Sequence, residues 1–150
     1  MLTTAIMFFC SIITPSSATN LGLQHQIHVM SEFEMTRASA MNGDADAMTR
    51  LGSMYYLGQD TPENPKLALE WMTKAAQLNE PYAQACLGLF YYEGKVVAQS
   101  NLNAYAWLLR AVLNGDMEAI KPLTIIRSQM KLMDIQKGNL MVLEGLQNHI

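Results

Sequence analysis

Charge is what this sequence has least of: 15% of its 150 residues are Asp, Glu, Lys or Arg, and the ten basic ones are scattered. Phosphate backbones are held by clustered Lys and Arg, so a net charge of -3 without a basic stripe speaks against a nucleic-acid partner. Cysteine is nearly absent, with Cys10 and Cys86 alone. The short motifs of common chemistry are missing too: no GxSxG, no HExxH, no P-loop and no GxGxxG. Metal ligands are equally sparse. His25 and His28 lie three apart, but no Cys or carboxylate completes their set. Asp44 and Asp46 resemble the start of a calcium loop that lacks its glycine and its closing Glu. No cofactor and no metal are expected.

The first eighteen residues, MLTTAIMFFCSIITPSSA, hold no charged side chain. They run apolar from Ala5 to Ile13, break at Pro15 and finish on small residues, the outline of a secretory signal peptide cut near Ala18. The basic side chains usual at the start of such a segment are missing. The apolar run is too short for a membrane span, so the mature chain is expected in a periplasm or outside the cell without membrane insertion. Cys10 does not sit in a lipoprotein-like context and would leave with the segment. That leaves Cys86, within YAQACLGLFYY, with no partner for an intrachain disulfide. A lone Cys in such a helical, apolar setting reads as a small buried hydrophobe.

Half of the residues are hydrophobic, which suits one globular domain with a core. A phrase is also written twice. Laying 46–80 over 82–116 pairs Ala47 with Ala83, Leu51 with Leu87, Gly52 with Gly88 and Tyr55-Tyr56 with Tyr91-Tyr92. It continues with Gly58 and Gly94, Ala68 and Ala104, Trp71 and Trp107, Ala75 and Ala111. Similarity at a fixed period of this length marks stacked supersecondary units. Within each unit the apolar positions fall at helical spacing. Gly52 and Gly88, in mid-helix, imply close approach of a second helix. Gly58 and Gly94 fit left-handed helix ends, Pro65 fits the first turn of the next helix, and Asp44 and Asp116 fit helix caps. Trp71 and Trp107 are expected to fill the gap between adjacent hairpins.

The stretch DAMTRLGSMYYLGQDTPENPKLALEWMTKAAQLNE resembles the Sel-one-like repeat, a relative of the tetratricopeptide repeat. The second copy is slightly decayed, with Arg-Ala-Val where the first has Lys-Ala-Ala. The resemblance implies an all-α fold, an α-α superhelix or solenoid of antiparallel helical hairpins. Its units would be 45–80 and 81–116, preceded by an N-terminal capping helix within 19–44. A degenerate unit with capping helices would follow over 117–150, because Thr124 stands where Gly is expected and Arg127 where Tyr is expected.

The resemblance further implies a non-enzymatic interaction module of the exported bacterial type, an adaptor, envelope regulator or immunity-type protein. Its partner would be another protein or peptide, gripped on the concave face of the first helices. By phase against Leu51 and Tyr55, that face is expected to carry Asp46, Thr49, Ser53 and Tyr56, then Tyr82, Ala85, Leu89 and Tyr92. Tyrosines suit such gripping, being rigid and amphipathic. The apolar C-terminal residues, Leu132 and Met133 among them, leave self-association open. The alternative is a weak cell-wall or β-lactam-related hydrolase, for which Ser53 beside Asp46 is the only hydroxyl and acid the spacing brings near each other.

Overall fold

The computed structural model describes residues 30–147, and His25, His28 and the leader lie outside them. Among the described residues seven helices follow one another: α1 Glu32–Met41, α2 Ala45–Leu57, α3 Pro65–Gln77, α4 Pro81–Glu93, α5 Asn101–Leu113, α6 Ile120–Gln129 and α7 Leu132–Gln147. The described residues from Ser31 onward form one compact, all-α unit, a solenoid in which each helix packs on its neighbour in sequence as far as α6.

Every joint is written in local chemistry. The turns leading into α2, α4 and α6 use left-handed backbone at Gly43, Asn79 and Gly115, with φ of 94°, 65° and 106°. Each is followed at once by a carboxylate that accepts amide hydrogens from the next turn. Asp44 accepts from Ala47, Glu80 from Tyr82 and Ala83, and Asp116 from Glu118 and Ala119. At α2 and α4 these amides have no partner within the helix, and the carboxylate both satisfies them and meets the positive end of the helix dipole. Asp116, expected to cap a helix, instead closes the turn over 117–119, and α6 begins after it at Ala119 without a side-chain cap. Inside the hairpins, α2 and α4 end on left-handed Gly58 and Gly94, with φ of 68° and 70°. The connections then close identically: Asn64 N–H donates to the Tyr55 carbonyl at 2.7 Å, and Ser100 N–H to that of Tyr91 at 2.9 Å. Asn64 and Ser100 also cap α3 and α5.

Mid-helix glycines let each hairpin close. A Cβ on Gly52 would lie 3.0 Å from Met72 Cγ, and one on Gly88 would lie 2.6 Å from Leu108 Cγ. Around these contacts sit two buried clusters, one holding Leu51, Met72 and Leu87, the other Leu108, Ala111 and Ile126. Trp71 and Trp107 are only partly buried, against the first cluster. Their outer faces carry cations, Lys74 Nζ at 4.3 Å from the Trp71 ring centroid and Arg110 Cζ at 5.8 Å from that of Trp107.

The C-terminal helices depart from the repeat. The connection from α6 to α7 is Met130-Lys131, and α7 packs on α5 instead of folding back along α6. Thr124 supplies a reason. It occupies the position of Gly52 and Gly88, where a side chain would strike a closely packed partner, and it is exposed here. On α7 the close approach is made by Gly138, whose Cβ would lie 2.6 Å from Tyr105 Cδ1. The Tyr105 hydroxyl donates to Asn139 Oδ1 at 2.9 Å.

Candidate functional site

Between α2 and α4 lies an open cleft of about 250 Å³. Its α2 side is Ser53, Tyr56 and Leu57, and its α4 side is Tyr82, Cys86, Leu89 and Glu93. Those four α4 residues follow one helical stripe, spaced i, i+4, i+7 and i+11. Met72 of α3 and Phe90 complete the lining. Tyr56 is set in place by the Phe90 ring, 5.1 Å between centroids. Tyr82 and Leu89 stand out of the wall, 55% and 37% exposed.

Of the eight residues read from the sequence as facing a partner, Ser53, Tyr56, Tyr82 and Leu89 line the cleft. Thr49 and Ala85 do not belong to a free face: they are 3% and 7% exposed. The Thr49 hydroxyl lies 2.9 Å from both Glu80 Oε2 and the Ala45 carbonyl, so it ties α2 to the cap of α4. Ala85 is packed in the second cluster. Asp46 is exposed and pairs with Arg50 at 2.9 Å. Tyr92 is partly buried against the cluster around Ile126, its hydroxyl 3.5 Å from Gln129 Nε2, and the C-terminal helices take up the surface it would offer.

Cys86, Glu93, Met72, Phe90 and Leu57 were not anticipated in the cleft. The stripe running from Tyr82 would have revealed Cys86 and Glu93. Another omission is Gln84, fully buried, whose amide donates to the Ala76 carbonyl at 3.0 Å and accepts from Asn114 Nδ2 at 2.8 Å. It fastens the ends of α3 and α5 to α4.

The groups in the cleft are poorly arranged for nucleophilic chemistry. Ser53 donates its hydroxyl hydrogen to the Thr49 carbonyl at 3.1 Å, and Asp46 is engaged by Arg50. Burial pushes the Cys86 thiol from the usual 9.0 up to about 11, with a hydrogen bond from Tyr82 opposing and the charges of Glu80 and Asp116 reinforcing. It is a thiol at neutral pH, not a thiolate. Tyr82 is raised as well, by the charge of Cys86 first, then by burial, its hydrogen bond with Cys86, and the carboxylates of Asp116 and Glu118. Among the described residues no group of three His, Cys, Asp or Glu side chains is placed to hold a metal ion.

The raised thiol has a consequence for stability. Between pH 9 and 11 the unfolded chain releases the Cys86 proton and the folded chain keeps it, so stability is full below pH 9 and falls as pH rises through that window. The fall due to Cys86 should approach about 2–3 kcal/mol. Urea unfolding of wild type and Cys86→Ala at pH 8 and pH 10.5 checks this: the alkaline loss should shrink in the variant, and an equal loss in both would place its origin elsewhere.

The repeated units that build this cleft also match a family model. Residues 45–80 and 81–116 each match the Sel1 repeat. This is a Sel1 repeat protein. A protective antigen present in uropathogenic Escherichia coli strains, displaying an SLR fold, superposes with a TM-score of 0.71 at 26% identity over 85% of this chain and 29% of that one. The Sel1 repeat protein from Oxalobacter formigenes gives a TM-score of 0.57 at 32% identity over 59% of this chain and 67% of that one. The chitin synthase regulator SKT5 of Saccharomyces cerevisiae is 34% identical over 87 residues, which is 57% of this chain and 12% of the regulator. A putative Sel1-like repeat-containing protein of Acanthamoeba polyphaga mimivirus is 41% identical over 49 residues, 33% of this chain and 8% of that protein. The chain thus spans a small part of these two relatives' length. No helix among the described residues is long and apolar enough to cross a membrane.

Proposed function

We propose that this Sel1 repeat protein is a non-enzymatic interaction module that grips another protein through the cleft between its two units, on the face of the first helices. Sel1 repeats are in general protein-interaction modules, and the relatives' own roles, regulation of chitin synthase among them, are theirs. The observation that carries the reading is the pair Tyr82 and Leu89: two large side chains on the wall of an apolar cleft, both exposed, on a helix otherwise well packed. Rigid aromatic and aliphatic anchors around a preformed hollow are what a partner's side chain needs to become buried. Such a surface would serve an adaptor, an envelope regulator or an immunity-type protein. In this reading the chain acts outside the cytoplasm after cleavage near Ala18, which mass spectrometry of the mature N-terminus tests.

The site is tested by capturing the partner with wild type and with Tyr82→Ala/Leu89→Asp. The double variant should bind at least about tenfold more weakly, while its melting temperature stays close to wild type because neither side chain belongs to the two buried clusters. A partner retained at full affinity would move the interaction off the cleft.

A further inference from the structure

Past Tyr82, away from the α2 side, lies a second and shallower hollow, lined by Glu80, Asp116 and Glu118 together with Met117 and the Asn114-Gly115 turn. Tyr82 belongs to both hollows, so the apolar cleft opens into an acidic one across a single ring. No Lys or Arg lines either. The opposite end of the cleft differs. There Glu93 is paired with Lys95 at 3.1 Å, which neutralises it. The charge along the surface is therefore polar: acidic beyond Tyr82, balanced beyond Glu93.

The repeat itself produces this asymmetry. Glu80 stands where it does because it caps α4, and Asp116 because it closes the turn ahead of α6. Capping consumes lone pairs but leaves the carboxylate charge in place, and successive units bring these charges to one edge. Glu118 adds a third from the first turn beyond Asp116. A cation arriving there gains from all three, and among the described residues none of the three is held in an ion pair.

We propose that the cleft takes a partner-protein segment bearing an apolar side chain and an adjacent lysine or arginine, the apolar group between Tyr56 and Leu89 and the cation beyond Tyr82 against Asp116 and Glu118. This rests on the cleft being the interaction site. It adds the chemistry and the direction of the bound segment: charge complementarity fixes orientation and partner choice more than raw affinity.

Panning a phage-displayed random dodecapeptide library on the full chain, on Glu118→Lys and on Leu89→Asp tests both layers. Wild type should enrich peptides with an apolar residue next to Lys or Arg. A selected peptide, labelled and followed by fluorescence anisotropy, should bind Glu118→Lys roughly two- to fivefold more weakly at low salt, a gap that closes near about 0.5 M salt. It should be lost on Leu89→Asp. Apolar peptides without a basic preference, or equal affinity for wild type and Glu118→Lys, would overturn the charge proposal and leave the cleft as the site. Binding that survives Leu89→Asp, or no enrichment at all, would overturn both.

Discussion

Gly88→Val should lower the free energy of unfolding by about 3 kcal/mol, at the upper end of what overpacking a core costs. The first added carbon would lie 2.6 Å from Leu108 Cγ and 3.1 Å from the Ala104 carbonyl oxygen, so one neighbour is a side-chain branch point and the other is backbone. Neither gives easily, and Leu108 is fully buried. The decisive comparison is a double-mutant cycle. Leu108→Ala alone should cost about 2–5 kcal/mol as a core truncation. In that background Gly88→Ala should cost far less than in the wild type, because the 2.6 Å clash with Leu108 is gone, the 3.1 Å approach to the Ala104 carbonyl alone remains, and alanine favours helix by about 1 kcal/mol over glycine. Denaturant titration of the four proteins measures the coupling, which should exceed about 1 kcal/mol. Additive effects would mean that Gly88 is not there for the approach of α5. Gly52→Ala should be milder, since the atoms it meets belong mainly to flexible Met72, at 3.0 and 3.2 Å.

Gly138→Val should release α7 without unfolding the repeats. Its Cβ would meet the Tyr105 ring at 2.6 Å, and the ring, 4% exposed, is held by α5 and by its bond to Asn139. A loss of about 2–4 kcal/mol is expected from the lost seat of Val142 and Ile135 and the newly wetted face of α5. Hydrogen exchange distinguishes this from global damage: protection should vanish across Leu132–Gln147 and persist across α2 to α4, as expected of a locally unfolding segment. Full protection in α7 would show that the close contact at Gly138 is not what seats it.

Both glycines are instructive about what a single sequence reveals. Gly88 was legible because it recurs at Gly52, and recurrence at one period exposes any contact made within a unit or between identical neighbours. The helix ends at Gly58 and Gly94 and the cap at Asp44 were legible for the same reason, whereas Asp116 keeps its place in the repeat but closes a turn ahead of α6. Gly138 has no counterpart, since α7 leaves the repeat register and finds Tyr105 through a connection shortened to Met130-Lys131. Thr124 signalled the break but not where the chain would go.

The cleft was half legible. Helical phase within α2 and α4 brought out Ser53, Tyr56, Tyr82 and Leu89. It misplaced Thr49 because the burial of that residue comes from Glu80, across the joint between units, and phase within one helix carries no record of it. Tyr92 shows the complementary failure. It repeats Tyr56 in sequence, but its neighbour is the divergent C-terminal segment instead of another identical unit.

The three left-handed joints at Gly43, Asn79 and Gly115, each handing over to a carboxylate that accepts amides of the next turn, give the molecule a standard coupling. Cutting the chain between Asn79 and Glu80 and again between Gly115 and Asp116, then rejoining the ends, would lift out a cassette and leave behind the same turn, the same cap and the same direction of travel. The number of units is thus editable one at a time. The cleft is not, because it needs one wall from each of two adjoining units: a stack shortened by one cassette keeps its couplings and loses the cleft.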